Sequence, residues 1–290
     1  MRTPSQLNLA PNALRPVLDQ LSRLCPQMPT VPNSTNSVWA GGTVGEELSA
    51  QSATELILRL FMAVDFLGRL NTHRALMTDP LARASDEVIH VDYPLAPEHP
   101  YPEAIDVIFN GLSSTTRSRV KPKDIIISGD SCGANLHLAL SLRLKQQPEL
   151  MPEWFDIDVA LFGSDTDPVN RYVSIRSTMH CYRLKALQAG IKHYLTDDIQ
   201  PGDPRVSPLF DDLDGLPPTL VQVGSKEIQQ DDSKGFREKA EQADVKVHFK
   251  LYTGMYNNFQ MFNAWEFANR YLDYLDQISK MHVCRDRCHS

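Results

Sequence analysis

Between residues 125 and 145 the chain runs from a β-branched apolar stretch, Ile125-Ile126-Ile127, through Gly129-Asp130-Ser131-Cys132-Gly133 into the leucine-rich stretch Leu136–Lys145. Few folds accept that succession. Consecutive isoleucines read as a strand buried on both faces, and the stretch that follows reads as a strong helix former. The two glycines bracket Ser131 at the places where a Cβ would collide if the chain turned sharply. Such a turn lifts the serine hydroxyl off the end of the strand. It also sets the Cys132 N–H at a helix N-terminus, where backbone donors lack intrahelical partners and the helix dipole favours negative charge.

The rest of the chain repeats this alternation. Apolar strands are expected at 55–61, 87–91, 124–128, 159–162, 219–223 and 245–251, and helical stretches near 185–195, 232–242 and 262–279. A βαβ series of this kind implies an α/β fold with a mostly parallel central sheet and helices on both faces. The segment Tyr93–Pro102 is too rich in proline for helix or central strand and is an ordered loop. A helix can begin at Pro102, with Ala104, Ile105, Ile108, Phe109 and Leu112 as its buried face. Ahead of the first strand, Leu14, Val17, Leu18, Leu21 and Leu24 recur at helical spacing and suit a small cap. The expected organisation is a cap or irregular segment over 1–50, an α/β domain over 51–280 and a tail over 281–290. The stretch 163–184 has little periodicity and takes no assignment.

Composition narrows the classes of partner. With 290 residues, 42% of them hydrophobic, the chain can bury a large core. The net charge of -7, from 29 basic and 36 acidic residues with no Lys/Arg stripe, argues against a nucleic-acid surface. No apolar run reaches the roughly 18 residues of a membrane span, and the first stretch holds no signal-peptide core, so a cytoplasmic location is expected. The five cysteines are odd in number and scattered, which argues against structural disulfides. The tail carries His282, Cys284, Cys288 and His289, yet no hairpin or helix separates the ligand pairs, so no metal site is expected.

A serine raised on a strand–turn–helix suits nucleophilic catalysis. The competing reading is the Gly-containing βα turn of a nucleotide-binding fold, but neither Gly-x-Gly-x-x-Gly spacing nor Gly-Lys-Ser/Thr is present. Four stretches carry a resemblance. Gly129-Asp130-Ser131-Cys132-Gly133-Ala134-Asn135, the block Val91–Pro102, Asn71-Thr72-His73-Arg74 with Gly68 before it, and Leu216–Ser225 are together similar to the hormone-sensitive-lipase-like family of α/β-hydrolases, from about 55 to 265. That resemblance implies the α/β-hydrolase fold with an N-terminal helical cap, an oxyanion loop after an early strand, and a Ser–acid–His triad in that chain order. It further implies hydrolysis of short-chain acyl esters through a serine acyl-enzyme. A small-molecule ester would be the substrate and no cofactor is needed; oligomeric state stays open, a dimer included.

Ser131 is then the nucleophile, and the Cys132 N–H an oxyanion donor. For the acid the resemblance points to Glu227, which precedes Asp231 by four places in Gly224–Asp232. Asp231 is the other candidate, and a site with no acid at all is the third reading. In the competing structural account Glu227 is solvated and Asp231 or Asp232 only caps the helix that follows.

Two positions depart from the family pattern. Phe61-Met62-Ala63-Val64 stands where relatives carry His-Gly-Gly-Gly, and the bases that encode it can read His-Gly-Gly in a shifted frame. Asn257 stands in the base's place within Gly254–Phe259. An amide cannot accept the serine proton. His248, His137 and His99 fall in a strand, on the helix after Ser131 and in the Pro-rich loop, and read as structural. The departures leave a second reading open, a catalytically impaired protein that only binds small ligands.

Overall fold

A computed structural model of the chain describes residues 33–38, 44–49, 58–62, 87–118, 120–152, 154–160, 190–257, 259–261 and 273. Eight strands form one sheet: β1 (Asn33–Val38), β2 (Val44–Ser49), β3 (Leu58–Met62), β4 (Glu87–Val91), β5 (Ile125–Ser131), β6 (Trp154–Ala160), β7 (Thr219–Gly224) and β8 (Val247–Tyr252). Their spatial order is β1-β2-β4-β3-β5-β6-β7-β8. β1 and β2 pair antiparallel, as do β2 and β4. From β4 across to β8 every neighbouring pair is parallel. The C-terminal ends of β3 and β5 to β8 therefore share one edge of the sheet, which is where open α/β sheets place their ligands.

Three longer helices are described: α1 (Glu103–Ser118), α2 (Cys132–Leu144) and α3 (Gln230–Gln242). α1 begins where Pro102 allows. Ala104, Ile105, Ile108 and Leu112 are buried as their spacing predicts, while Phe109 is partly covered and carries the Arg143 guanidinium over its ring at 4.2 Å. α2 is buried almost all round, with Leu136, Leu138 and Leu140 in the core, which explains why its sequence shows little polar face. α3 buries Phe236 and Ala240 in the same cluster with Val221 of β7.

Two expectations change. Residues 33–38 and 44–49, assigned to the N-terminal segment, form a hairpin-like pair that extends the sheet. Asn33–Val38 and Val44–Ser49 are too polar to register as apolar strands, since an outer antiparallel pair needs fewer buried side chains than a central parallel one. β6 lies five residues earlier than the 159–162 run, because Asp156 and Asp158 interrupt the apolar pattern of Trp154–Ala160. Residues 190–194 are helix, as expected near 185–195, and residues 185–189 lie outside the described residues. The expected helices at 14–24 and 262–279, the unassigned stretch 163–184 and the tail 281–290 lie outside the described residues, Asp273 apart.

Candidate active site

β5 carries Ser131 to the sheet edge, and α2 starts at the next residue. The chain reverses there so sharply that Ser131 adopts φ 54° and ψ -117°, in the positive-φ region that L residues rarely enter. Such a conformation costs on the order of 1–3 kcal/mol and persists only where its surroundings enforce it. The glycines supply the enforcement. A Cβ on Gly129 would stand 2.7 Å from the Gly133 carbonyl oxygen and 3.0 Å from the Ala134 nitrogen, so only a bare backbone lets strand and helix close on each other. A register shift between Asp130 and Ser131 marks where the strand departs from β6.

Around the serine, Cys132 is the first residue of α2, buried and outside any disulfide. Its N–H heads a thirteen-residue helix and lies at the positive end of the dipole. From the next turn, Asn135 Nδ2 donates to the Val206 carbonyl at 3.2 Å, tying the segment before the Pro208–Phe210 turn to the elbow.

On the other side, β3 runs parallel to β5 with Met62 opposite Gly129. Phe61 and Met62 are thus still strand. Of the expected oxyanion segment 61–64, only Ala63 and Val64 lie past the strand, and both are outside the described residues.

Glu227 follows β7 by three residues and is fully buried. The Gly224 N–H donates to its Oε1 at 2.6 Å. Glu227 is therefore not solvated. Its loop is pressed against the turn after β8: a Cβ on Gly224 would lie 2.7 Å from the Met255 carbonyl carbon and 2.8 Å from Glu227 Oε1. Among the described residues, hydrogen bonds join the two segments. The Ser225 N–H donates to Tyr252 O at 2.9 Å and the Lys226 N–H to Met255 O at 3.0 Å, while the Gly254 N–H donates to Ser225 Oγ at 2.8 Å. Asn257 lies just beyond, with a buried Oδ1 that finds no hydrogen-bond partner among the described residues. Ser131 ends β5, and Glu227 and Asn257 follow the C-terminal ends of β7 and β8, at the same edge and in the expected chain order.

The remaining candidates separate cleanly. Asp231 and Asp232 do not cap α3; the cap residue is Gln229, which makes no side-chain cap bond, and both aspartates lie inside the first turn. There they favour the helix through its dipole. Asp231 accepts from Lys234 Nζ at 3.4 Å, and Asp232 is fully buried.

His137 packs edge-on to Phe155 at 4.4 Å on α2. His99 pairs with Glu103 at 2.6 Å at the start of α1, and His248 stands on β8 beside Trp154. None of the three is on the loops that hold Glu227 or Asn257. Among the described residues there is no group of three or more His, Cys, Asp or Glu that could hold a metal ion, and the tail residues His282, Cys284, Cys288 and His289 lie outside them. Reading the sequence did not single out Gly224 and Ser225 as parts of the site; the turn Gly224-Ser225 directly after a strand was their only signal.

A mostly parallel sheet with an elbow serine at its C-terminal edge, and a buried acid two strands away, defines an α/β-hydrolase. The chain belongs to that family: residues 64–261 match the α/β-hydrolase fold pattern. It is 68% identical over 271 residues to an esterase of Acinetobacter venetianus, covering 91% of this chain and 87% of that one. Esterase LipU of Mycobacterium tuberculosis is 27% identical over 256 residues, covering 84% and 85% of the two chains. The fold is shared with a crystal structure of an esterase from the bacterial hormone-sensitive lipase family at a TM-score of 0.84 and 22% identity, over 97% of this chain and 93% of that one.

Proposed function

We propose that Ser131 is the nucleophile of this carboxylic ester hydrolase and that Glu227 is the acid of its catalytic apparatus. The observation that carries the proposal is the enforced positive-φ backbone at Ser131, which presents the hydroxyl at the sheet edge directly before a helix N-terminus. In acylation Ser131 Oγ attacks the ester carbonyl carbon. The carbonyl oxygen takes the negative charge and accepts the Cys132 N–H, a donor worth on the order of 3 kcal/mol in comparable sites. The proton given up by the Ser131 hydroxyl leaves on the departing alkoxide, so that collapse expels the alcohol; water then attacks the acyl-serine, a proton returns to Ser131 Oγ and the acid is released.

Glu227, held by the Gly224 N–H, fixes the far end of the relay. Position 257 stands where a proton acceptor belongs, and its amide orients without accepting a proton. Turnover in the native chain is therefore slow for this chemistry.

Short-chain acyl esters are the proposed substrates, in the cytoplasm. Among the described residues no helix is long and apolar enough to cross a membrane.

The test is ester turnover, measured on p-nitrophenyl acetate and longer homologues, by the native chain, Ser131→Ala and Asn257→His. Ser131→Ala is expected to lose turnover. Asn257→His is expected to gain at least tenfold, about the low end of the 10²–10⁴ that a positioned base contributes, with a new limb in the pH profile near the imidazole value of about 6.5. Activity that survives Ser131→Ala would sink the serine mechanism. A pocket that only binds ligands would show no turnover in the native chain.

A further inference from the structure

We propose that Ser225 is a positioning residue, whose hydroxyl latches the turn after β8 onto the loop after β7 and so sets where residue 257 stands relative to Glu227. This rests on the reading of Ser131 and Glu227 given above. Two of the hydrogen bonds that join the two segments run between backbone groups and survive any change of side chain. Another, from the Gly254 N–H to Ser225 Oγ at 2.8 Å, depends on one hydroxyl. Gly254 has φ +83°, a conformation that suits glycine, and lies two residues past the end of β8 in the turn that follows. Ser225 Oγ is the acceptor that meets its N–H there.

The consequences of losing that acceptor pass directly to the site. Gly224 leaves no room for even a Cβ between its own backbone, the Met255 peptide and Glu227 Oε1, so the two segments touch with no slack. A turn freed at Gly254 must slide along this contact. Residue 257, three positions further on, moves with it, while Glu227 stays fixed by the Gly224 N–H. Misplacement of about 1 Å between groups that must align can cost 10²-fold in rate, and a partial slide on a turn still held by two backbone bonds should cost less.

The experiment compares Ser225→Thr with Ser225→Val, two side chains of nearly equal shape that differ in the hydroxyl, alongside Ser225→Ala, Ser131→Ala and the native chain, on p-nitrophenyl acetate. For Ala and Val, kcat is expected to fall about tenfold with KM changed less than about twofold, and Thr to recover most of the loss. Placed on Asn257→His, Ser225→Val is expected to cut the gained activity by at least the same factor. Equal kcat for Thr and Val overturns the proposal, as does a native kcat in Ser225→Ala. Turnover persisting in Ser131→Ala would instead overturn the serine reading, so the two failures are distinguishable.

Discussion

At Ser131 the physics is a trade between backbone strain and exposure of a reactive group. The serine sits at φ 54°, where a Cβ is disfavoured and glycine is at ease. Substitution therefore separates strain from chemistry. Ser131→Ala keeps the strain, whereas Ser131→Gly removes it at the expense of a more flexible unfolded chain, a loss of about 0.4–1 kcal/mol. Against strain of about 1–3 kcal/mol, Ser131→Gly is expected to be more stable than Ser131→Ala by about 1 kcal/mol. Urea unfolding of the two inactive variants checks this, and a lower midpoint for Ser131→Gly than for Ser131→Ala would show that the elbow is unstrained. Glu227 makes the complementary point: a carboxyl read as either catalytic or solvated is buried in the interior, where it accepts the Gly224 N–H.

At the scale of elements, the elbow depends on how tightly α2 seats against β5. Leu136, Leu138, Leu140 and Leu144 are buried on α2, and Ser141 Oγ donates to the His137 carbonyl within it at 2.7 Å. A helix buried on nearly every side has no face on which to relax around a cavity. Leu138→Ala is expected to cost about 2–5 kcal/mol, toward the upper end because the site cannot collapse. Chemical denaturation measures it; a cost below about 1 kcal/mol would mean that α2 is loosely packed. The same element explains why its sequence was easy to recognise as helix and hard to orient: with leucines all round, periodicity names no outward face. α1 is the contrary case, where Ala104, Ile105, Ile108 and Leu112 identified the buried face from spacing alone.

Across the whole molecule, acid sensitivity has an identifiable source at the β8 side of the sheet. His248 titrates below its ordinary value of 6.5 because burial, and secondarily Lys246, disfavours its charged form. In the unfolded chain the same imidazole binds a proton near pH 6.5. As pH falls below that value the unfolded state therefore binds more protons than the folded state, and stability declines until the folded imidazole also protonates. His248→Gln is expected to flatten this part of the stability–pH curve while leaving stability above neutral pH little changed, as followed by urea midpoints at successive pH values. An unaltered slope would exclude His248 as the source. On the same scale, the sequence by itself determined the strand–turn–helix at Ser131 and the parallel centre of the sheet, because these follow from sterics and periodicity within short stretches, whereas the order of nucleophile, acid and position 257 is what the family resemblance implies. Tertiary structure alone decided that β1 and β2 extend the sheet, that Glu227 is buried, and that Ser225 grips Gly254 from 29 residues away. Those contacts arise from the register of β7 on β8, where Gly224 falls opposite Tyr252, and pairing between distant strands leaves no periodic mark on either one.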